Sequence, residues 1–300
     1  MKISIKQVDA FTTKPFGGNP AGVVTDADEL TEEQMKKIAK EMNLSETAYV
    51  LTPSLPDADL KIRWFTPSSE VKLCGHGTIA SFYALAEEGK FGMTEPGKYS
   101  FKLETKSGIL PVEVVKESDK AIKVLFTLPV PVFEKFDVNL EKMSKILGTQ
   151  KTSIRTDIPV MRDNFQLAIP LISLKTLFEL KPDFNLMIEY SKKTGIQAFT
   201  PLSTETVEKE SLVHTRCFVP IHGVNEDPVT GSSQGPLSVY LSEVGIINEF
   251  QGEYQYQAEQ GDAMGRPGRV RVHIVKDKGK YTSVKIEGEA ITVLSGEIYL

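Results

Sequence analysis

Residues 227–233 read Asp-Pro-Val-Thr-Gly-Ser-Ser, and residues 74–78 read Cys-Gly-His-Gly-Thr. Each stretch is a turn of small and polar residues that leads directly into an apolar segment with helical character. The first turn of a helix exposes unpaired backbone N–H groups and a partial positive charge, and it therefore suits an anion. Two such turns, about one domain apart, predict two similar halves that hold one small anionic molecule between them.

The segments around the two turns indicate the fold class. Ile79–Ala86 and Pro236–Val244 are apolar on nearly every side, as in helices that are enclosed within a protein. Alternation of apolar with polar residues predicts strands, each with one buried face, at Leu60–Trp64, Tyr99–Leu103, Val270–Val272 and Val284–Ile286. An enclosed helix among strands, occurring twice, predicts an α+β protein with two similar domains.

Two further helices follow from local signals. Residues 31–34, Thr-Glu-Glu-Gln, form a capping box, which predicts a helix that runs to about Met42. A third helical pattern covers Leu140–Leu147. The surrounding region, from about residue 129 to residue 210, is weakly patterned and gives no other helix.

The length of the chain favours two domains, because 300 residues is long for a single core. The short polar segment 116–120 predicts the boundary between them. We therefore predict an N-terminal lobe, residues 1–117, and a C-terminal lobe, residues 118–300, with about the last 10 residues of the chain returning to the first lobe.

Composition excludes several classes of protein. The chain has 35 basic and 40 acidic residues, a net charge of −5, and no basic tract, which argues against nucleic-acid binding. No apolar run is long enough to span a bilayer, and the N-terminus alternates like a strand and lacks the apolar region of a signal peptide. Two cysteines form no disulfide framework. We therefore expect a cytoplasmic protein without a membrane partner.

Two side chains near the first turn are candidates for proton transfer and ligand contact. Glu46 lies between the end of a helix and an apolar strand, where partial burial beside Ser45 and Thr47 suits a general base. The alternative is a solvated loop carboxylate. His76 stands between two glycines, which let the backbone approach a ligand closely. We expect His76 to contact the ligand, with a purely structural hydrogen bond as the alternative.

The two cysteines distinguish two classes of reaction. Cys74 precedes a helix N-terminus, where a thiol can act as a base or nucleophile, or can be a small buried residue. A racemase that uses two thiols needs a second cysteine at the matching turn, and residues 227–231 contain none. Cys217 lies ten residues before Asp227 in an apolar segment. We interpret both cysteines as structural.

The second turn supplies a carboxylate and several hydroxyl groups. Asp227 precedes Pro228, which favours an extended backbone at that position. Residues 230–233, Thr-Gly-Ser-Ser, offer hydroxyl groups and flexible backbone. An N-cap with a turn explains these residue types without any ligand. The functional interpretation adds an anion-binding turn and a second carboxylate that faces Glu46.

Two glycine-rich loops carry further polar side chains. Residues 16–24 contain Asn19 but lack the Gly-Lys-Ser/Thr of a phosphate-binding loop and the spacing of a dinucleotide-binding turn. Asn19 can contact a ligand or shape the turn. Arg266, in residues 260–268, can bind a carboxylate or a partner subunit. The four histidines are scattered without metal-binding spacing, so the sequence predicts no metal site.

Taken together, these motifs closely resemble the phenazine-biosynthesis PhzF-like proteins, in the expected order over about the whole chain. The resemblance lies in residues 15–21 (Pro-Phe-Gly-Gly-Asn-Pro-Ala), 45–47 (Ser-Glu-Thr), 63–67 (Arg-Trp-Phe-Thr-Pro), 73–78 (Leu-Cys-Gly-His-Gly-Thr), 226–232 (Glu-Asp-Pro-Val-Thr-Gly-Ser), 259–261 (Glu-Gln-Gly) and 265–267 (Gly-Arg-Pro). The glycine-histidine turn and the Asp-Pro-Val-Thr-Gly-Ser run are specific in combination.

The resemblance implies the diaminopimelate-epimerase-like fold, in which two similar domains each curl a β-sheet or barrel around a central helix. It also implies a homodimer, no cofactor, and isomerisation of a small carboxylic acid, the founding activity being that of a dihydro-hydroxyanthranilic acid isomerase. Glu46 matches the acid/base, and His76, Asp227 and Ser232 match residues around the substrate. The catalytic candidates are thus Glu46, His76 and Asp227, and the substrate-binding candidates are Asn19, Gly75, Gly77, Thr78, Thr230, Gly231, Ser232 and Ser233.

The chain departs from the family pattern near the predicted site. Gly77 stands where the pattern has Ala, Asn225 where it has Gly, and Ser233-Gln234 where it has Ala-His. These changes leave the substrate open. The alternatives to a cofactor-independent isomerase are an amino-acid epimerase or racemase and a non-catalytic small-molecule-binding protein on the same scaffold.

Overall fold

The computed structural model describes residues 2–300, which form two compact units. The first unit comprises the residues up to Thr127 together with Ile286–Leu300, and the second comprises Leu128–Lys285. The division thus falls ten residues after the predicted boundary at residue 117. The polar segment 116–121 is a turn between two paired strands, closed by the Glu117 N–H donating to the Ala121 carbonyl at 2.8 Å, and it does not link domains.

The first unit is built mainly of strands. Its elements are β1 (Lys2–Ala10), β2 (Asn19–Val24), α1 (Glu32–Met42), β3 (Glu46–Leu51), β4 (Leu60–Phe65), β5 (Glu70–Val71), α2 (Gly75–Glu87), β6 (Gly97–Thr105), β7 (Gly108–Lys116) and β8 (Ile122–Leu128). The second unit mixes strands with four helices. Its elements are β9 (Glu134–Lys135), α3 (Leu140–Leu147), β10 (Met161–Arg162), β11 (Gln166–Pro170), α4 (Leu174–Phe178), α5 (Phe184–Thr194), β12 (Ala198–Ser203), β13 (Ser211–Thr215), β14 (Cys217–Val219), β15 (Val224–Asp227), α6 (Gly231–Glu243), β16 (Gly252–Gln260) and β17 (Gly268–Asp277). The last strand, β18 (Lys280–Tyr299), contributes residues to both units.

Eight strands of the first unit close into a barrel. Pairing runs from β1 through β2, β3, β4, β6, β7 and β8 to β18, which pairs back with β1. Helix α2 packs against β1, β2, β3 and β7 and is buried at every position from Gly75 to Ala86. A helix with so little polar surface is stable only when other elements enclose it. The predicted enclosed helix is confirmed, and it begins four residues earlier than Ile79 because the glycine turn forms its first turn.

In the second unit, the strands pair in the order β9, β10, β11, β12, β13, β16 and β17. Helix α6 packs against β17 and β11. The apolar pattern placed the start of this helix at Pro236, whereas it begins at Gly231. Pro236 therefore falls in the second turn, where it donates no hydrogen bond to the carbonyl of Ser232. The predicted mixed α+β class is confirmed for the described residues.

The local helix signals have mixed outcomes. Helix α1 starts with the predicted capping box, in which Thr31 and Gln34 bond each other's backbone N–H groups. Helix α3 has the predicted bounds, with Asn139 as N-cap and Gly148 in the left-handed region at its end. Helices α4 and α5 were not predicted, although Ser173 and Asp183 cap their first turns. In residues 2–300 no helix combines the length and the apolar character that crossing a membrane requires.

Candidate functional site

Strand pairing and the packing of helix α2 bring three of the predicted site residues of the first unit together at one end of the barrel. Strands β2 and β3 are parallel, with Ala21 opposite Glu46. Asn19 and Glu46 are the first residues of these strands, and parallel strands start at the same edge. The first turn of α2, which carries His76, contacts both side chains at this edge.

The polar contacts of His76 define a compact group. Its Nε2 lies 3.1 Å from Oε2 of Glu46, and its Nδ1 lies 3.2 Å from Nδ2 of Asn19. The side chains of His76 and Glu46 are 8% and 17% exposed. Rotation of the Asn19 amide places its oxygen, instead of its nitrogen, beside Nδ1 of His76. Asn19 can therefore donate a hydrogen bond to an unprotonated Nδ1 or accept one from a protonated Nδ1. The histidine is therefore fixed from both sides, with the carboxylate at one ring nitrogen.

Charge raises the pKa of His76. Burial alone would lower it, but the interactions of the ring with Cys74 and Glu46 outweigh burial. Burial raises the pKa of Cys74 itself to about 11, so its thiol is uncharged near neutral pH. The carboxylate of Glu46 is therefore the neighbour that holds the proton on His76.

The first turn of α2 uses two of its N–H groups internally. The Gly77 N–H donates to Sγ of Cys74 at 3.3 Å, and the Thr78 N–H donates to the Cys74 carbonyl at 3.0 Å. The N–H groups of Gly77 and Thr78, which were predicted to hold the ligand, thus have partners within the helix start. Among the described residues, the N–H groups of Gly75 and His76 have no hydrogen-bond acceptor, as expected for the first positions of a helix.

Gly77 has a packing role that the sequence did not indicate. A Cβ at this position would lie 2.7 Å from Cδ1 of Trp64 and 2.9 Å from Sγ of Cys74. The indole of Trp64 is 1% exposed, and its Nε1 has no acceptor within residues 2–300. Position 77 thus makes room for a buried tryptophan, and the close approach of a ligand there stays a prediction.

In the second unit, Asp227 and Thr230 form a closed turn. Thr230 Oγ1 donates to Oδ2 of Asp227 at 2.5 Å. Gln260 holds the turn from β16, since its Nε2 donates to the Asp227 carbonyl at 2.8 Å and to Thr230 Oγ1 at 3.0 Å. Its Oε1 accepts the Thr230 N–H at 3.2 Å. Gln260 is 1% exposed, and sequence reasoning missed it because its partners lie about 30 residues away.

Ser233 is part of a buried hydrogen-bond network. Its hydroxyl donates to Oε1 of Gln166, which also accepts from Thr200 Oγ1 at 2.8 Å. Nε2 of Gln166 donates to the Ser233 carbonyl at 3.0 Å. The Ser233 side chain is fully buried, and its hydroxyl is thereby occupied. Ser233 thus has a structural role, and Ser232 is half-buried. Substrate binding by either serine stays a prediction.

The start of α6 repeats the arrangement at the start of α2. The N–H groups of Ser233 and Gln234 donate to the Thr230 carbonyl at 2.9 and 3.0 Å. Those of Gly231 and Ser232 have no acceptor among the described residues. Each buried helix of 13 residues thus leaves its first two N–H groups available to an anion.

Cys217 is buried next to Ser233, in the first turn of α6. Its Sγ is 3.9 Å from Oγ of Ser233, and burial raises the pKa of its thiol to about 12. No thiol stands at the start of α6, as the sequence had indicated.

Comparison with known proteins identifies relatives over the whole chain. A family model described as phenazine biosynthesis-like protein matches residues 8–296. An uncharacterised isomerase of Clostridium acetobutylicum is 36% identical over 304 residues, covering 100% of this chain and 99% of that protein. The trans-2,3-dihydro-3-hydroxyanthranilate isomerase of Pseudomonas aeruginosa is 30% identical over 294 residues, covering 98% of each.

Solved structures agree with this relationship. The Bacillus anthracis phenazine biosynthesis protein of the PhzF family superimposes with a TM-score of 0.91 at 32% identity, covering 100% of both chains. A probable proline racemase from Agrobacterium radiobacter has a TM-score of 0.65 at 15% identity, covering 99% of this chain and 93% of that one. The second likeness shows a fold shared with racemases.

Proposed function

Because the chain belongs to the phenazine biosynthesis-like (PhzC-PhzF) family, and several of its curated relatives are named isomerases, we propose that it isomerises a small carboxylic acid by proton transfer at carbon without a cofactor. Glu46 is the acid/base in this proposal. The observation that carries it is the position of one atom: Oε2 of Glu46 is buried and lies 3.1 Å from Nε2 of His76, in a geometry that is not a well-directed hydrogen bond. A buried carboxylate oxygen that is incompletely hydrogen-bonded is costly unless a ligand completes its contacts.

The chemistry follows from the charge that develops during the reaction. Removing a proton from a carbon beside a carboxylate creates negative charge that needs nearby donors. Glu46 takes the proton, the electron pair shifts along the substrate, and the protonated Glu46 returns the proton to a different carbon. No electrons are gained or lost, and no co-reactant is required. His76 fixes the carboxylate from 3.1 Å and is itself fixed by Asn19.

Anion binding is assigned to the free N–H groups at the helix starts. Those of Gly75 and His76 lie in the first turn of α2, whose His76 side chain contacts the acid/base Glu46, and they suit the substrate carboxylate or the developing charge. Further candidates, which are Thr230, Gly231, Ser232 and Asp227, are proposed to contact substrate. Measuring the KM of variants such as Asp227→Asn on a confirmed substrate tests whether these residues contact it.

The experiment that tests this function is proton–deuterium exchange followed by NMR in D2O. The panel contains trans-2,3-dihydro-3-hydroxyanthranilate, the substrate named for the Pseudomonas relative, with small amino and hydroxy carboxylic acids. We expect a shifted double bond, or deuterium at carbon, for at least one acid. Tight binding of an acid without any exchange or isomerisation would instead identify a non-catalytic binding protein.

The racemase alternative makes a different prediction. A two-thiol mechanism requires Cys74 to react, so Cys74→Ser would abolish exchange, and deuterium would enter at one stereocentre. The high pKa of Cys74 and the absence of a thiol at the start of α6 favour the carboxylate mechanism. The expected homodimer and cytoplasmic location stay predictions, and sedimentation equilibrium tests the first of them.

A further inference from the structure

We propose that Cys74 is a positioning residue, whose sulfur packs against the face of the His76 ring and fixes the orientation in which this ring holds Glu46. The contact itself is independent of the proposed function. Its effect on turnover rests on that function, because Glu46 is the proposed acid/base. Cys74 thus supports the proton transfer without exchanging a proton with the substrate.

The distances from the sulfur to the imidazole place it over the ring. Sγ of Cys74 lies 3.6 Å from Nδ1 and 3.7 Å from Nε2 of His76. A sulfur in the plane of the ring, at equal distance from both nitrogens, would at this range overlap Cε1 or the Cγ–Cδ2 bond, because non-bonded atoms stay about 3.5–4.0 Å apart. The sulfur therefore lies out of the ring plane, against the face of the ring, and is not in line with the hydrogen-bonding direction of either nitrogen.

Helix α2 fixes the sulfur in this place. Cys74 is the N-cap of the helix, where its Sγ accepts the N–H of Gly77 at 3.3 Å. The Cys74 carbonyl accepts the N–H and the hydroxyl of Thr78 at 3.0 and 2.7 Å, and the residue is only 6% exposed. The thiol cannot rotate away from the ring without losing the hydrogen bond from Gly77. The sulfur is therefore a fixed surface beside the imidazole.

The sulfur supplies the restraint that the two polar contacts of His76 leave out. Glu46 lies 3.1 Å from Nε2 and Asn19 lies 3.2 Å from Nδ1, so both contacts act at the edge of the ring. Contacts at the two nitrogens alone permit the ring to tilt about the line that joins them. A sulfur against the face opposes this tilt, and contacts between sulfur and an aromatic ring are attractive. The imidazole is thus held at both nitrogens and on one face.

The protonation state of the thiol agrees with a positioning role. Burial raises the pKa of Cys74 to about 11, so this group is an uncharged thiol near pH 7. A cysteine reacts as a base or nucleophile in its thiolate form, which a raised pKa disfavours. An uncharged sulfur also leaves the carboxylate of Glu46 as the negative group beside His76. Cys74 therefore acts on the ring by packing, and Glu46 acts on it by charge.

The order of the His76 ring in the full-length protein tests the contact directly. With histidine labelled with ¹³C at Cε1, NMR relaxation gives the order parameter of the ring, and His76→Gln assigns its signal among the four histidines. In the wild-type protein we expect a value near that of rigid backbone, about 0.85, for His76 and a lower value for the exposed His222. Cys74→Ser should lower the value for His76, because serine is a preferred N-cap but brings no sulfur to the ring.

Cys217→Ser is the matched control, since it changes the other buried thiol of the chain, whose sulfur lies 3.9 Å from Oγ of Ser233. This variant should leave the order of the His76 ring unchanged. A mobile His76 ring in the wild-type protein, or unchanged order in Cys74→Ser, would overturn the contact. Circular dichroism confirms that each variant folds, and the wild-type comparison of His76 with His222 keeps the test decisive if Cys74→Ser does not fold.

Activity provides a separate arm on whichever acid the exchange panel identifies. Cys74→Ser should lower kcat roughly 10-fold, within the about 10²-fold that a misplacement of about 1 Å can cost, and should change KM less than about twofold. Wild-type kcat in Cys74→Ser would refute the effect on turnover, and loss of all exchange would show that the thiol itself moves the proton. An ordered ring that loosens in Cys74→Ser, in a protein that isomerises no acid, would refute the proposed function and leave the contact standing. Isomerisation with unchanged ring order would do the reverse.

Discussion

The indole ring of Trp64 fills the space that a side chain at position 77 would need. An ideal Cβ on Gly77 would lie 2.7 Å from Cδ1 and 2.9 Å from Nε1 of Trp64, closer than real Cβ atoms approach. Strand β4 and the start of helix α2 therefore fit together only because residue 77 has no side chain. The contact lies next to His76, so it couples core packing to the position of a proposed catalytic group.

Gly77→Ala is expected to destabilise the protein by about 1–2 kcal/mol. Alanine gains up to about 1 kcal/mol of helix propensity over glycine. Overpacking of a core typically costs about 1–3 kcal/mol, and here the buried Trp64 and Cys74 cannot move away easily. Urea unfolding measures the difference in the free energy of unfolding.

The matched control is Gly296→Ala, where an added Cβ would meet only Cδ2 of Leu294 at 3.9 Å. This change should have little effect. Trp64→Phe removes the part of the indole that faces position 77, so the double variant Trp64→Phe/Gly77→Ala should recover part of the loss. Additive effects of the two changes would contradict the contact.

Gln260→Met is expected to loosen the Asp227–Thr230 turn. The substitution keeps the approximate volume but leaves the Thr230 N–H and the Asp227 carbonyl without their side-chain partner. Each buried polar group that loses its partner costs about 1–3 kcal/mol. The free energy of unfolding should therefore fall by more than 2 kcal/mol, measured in urea.

Gln255→Met on the same strand is the control, since Gln255 is exposed. If the turn binds substrate, Gln260→Met should also raise KM more than it lowers kcat. Equal stability losses in the two variants would show that Gln260 does not support the turn.

Acid stability should depend on Glu259. Burial alone would raise the pKa of this carboxyl, but hydrogen bonds from His214 and from the N–H groups of Val207 and Glu208 outweigh burial and lower it to about 2. A lowered pKa stabilises the folded state above the unfolded value of 4.5, and this stabilisation is lost as the pH falls from there toward 2.

The free energy of unfolding of the wild-type protein should therefore exceed that of Glu259→Gln by a constant amount above about pH 5. Below pH 4.5 this difference should shrink by up to about 1.4 kcal/mol per pH unit. Urea unfolding at pH 7, 5, 4 and 3 measures it, with the exposed Glu210→Gln as the matched control. A difference that stays the same from pH 7 to pH 3 would show that the carboxylate form of Glu259 does not stabilise the fold.

The sequence predicted those features that local physics controls. The capping box of α1, the bounds of α3 and the enclosure of α2 each follow from residues within one or two turns. The start of α6 did not follow, because proline usually marks a first turn and the glycine-serine stretch before it reads as a loop. The structure extends the helix through that stretch to Gly231.

The sequence identifies the candidate site residues, but it does not identify their contacts. The grouping of Glu46 with Asn19 depends on the parallel pairing of β2 with β3, and the contact of His76 with both depends on the packing of α2 against these strands. No local pattern encodes either. The same holds for Gln260, which reaches the Thr230 turn from another strand. Gly77 and Ser233 were assigned to the ligand because glycine and serine suit binding turns, whereas long-range packing against Trp64 and Gln166 explains them.

The most direct test of the account is solvent-deuterium exchange by Glu46→Gln on a substrate that the wild-type protein isomerises. The amide keeps the size of the side chain but cannot accept the proton, so kcat should fall about 10²–10⁴-fold while substrate affinity changes only a few-fold. Glu33→Gln, an exposed carboxylate paired with Lys37, is the control and should keep the wild-type rate. Wild-type exchange by Glu46→Gln would contradict the central claim that this carboxylate moves the proton.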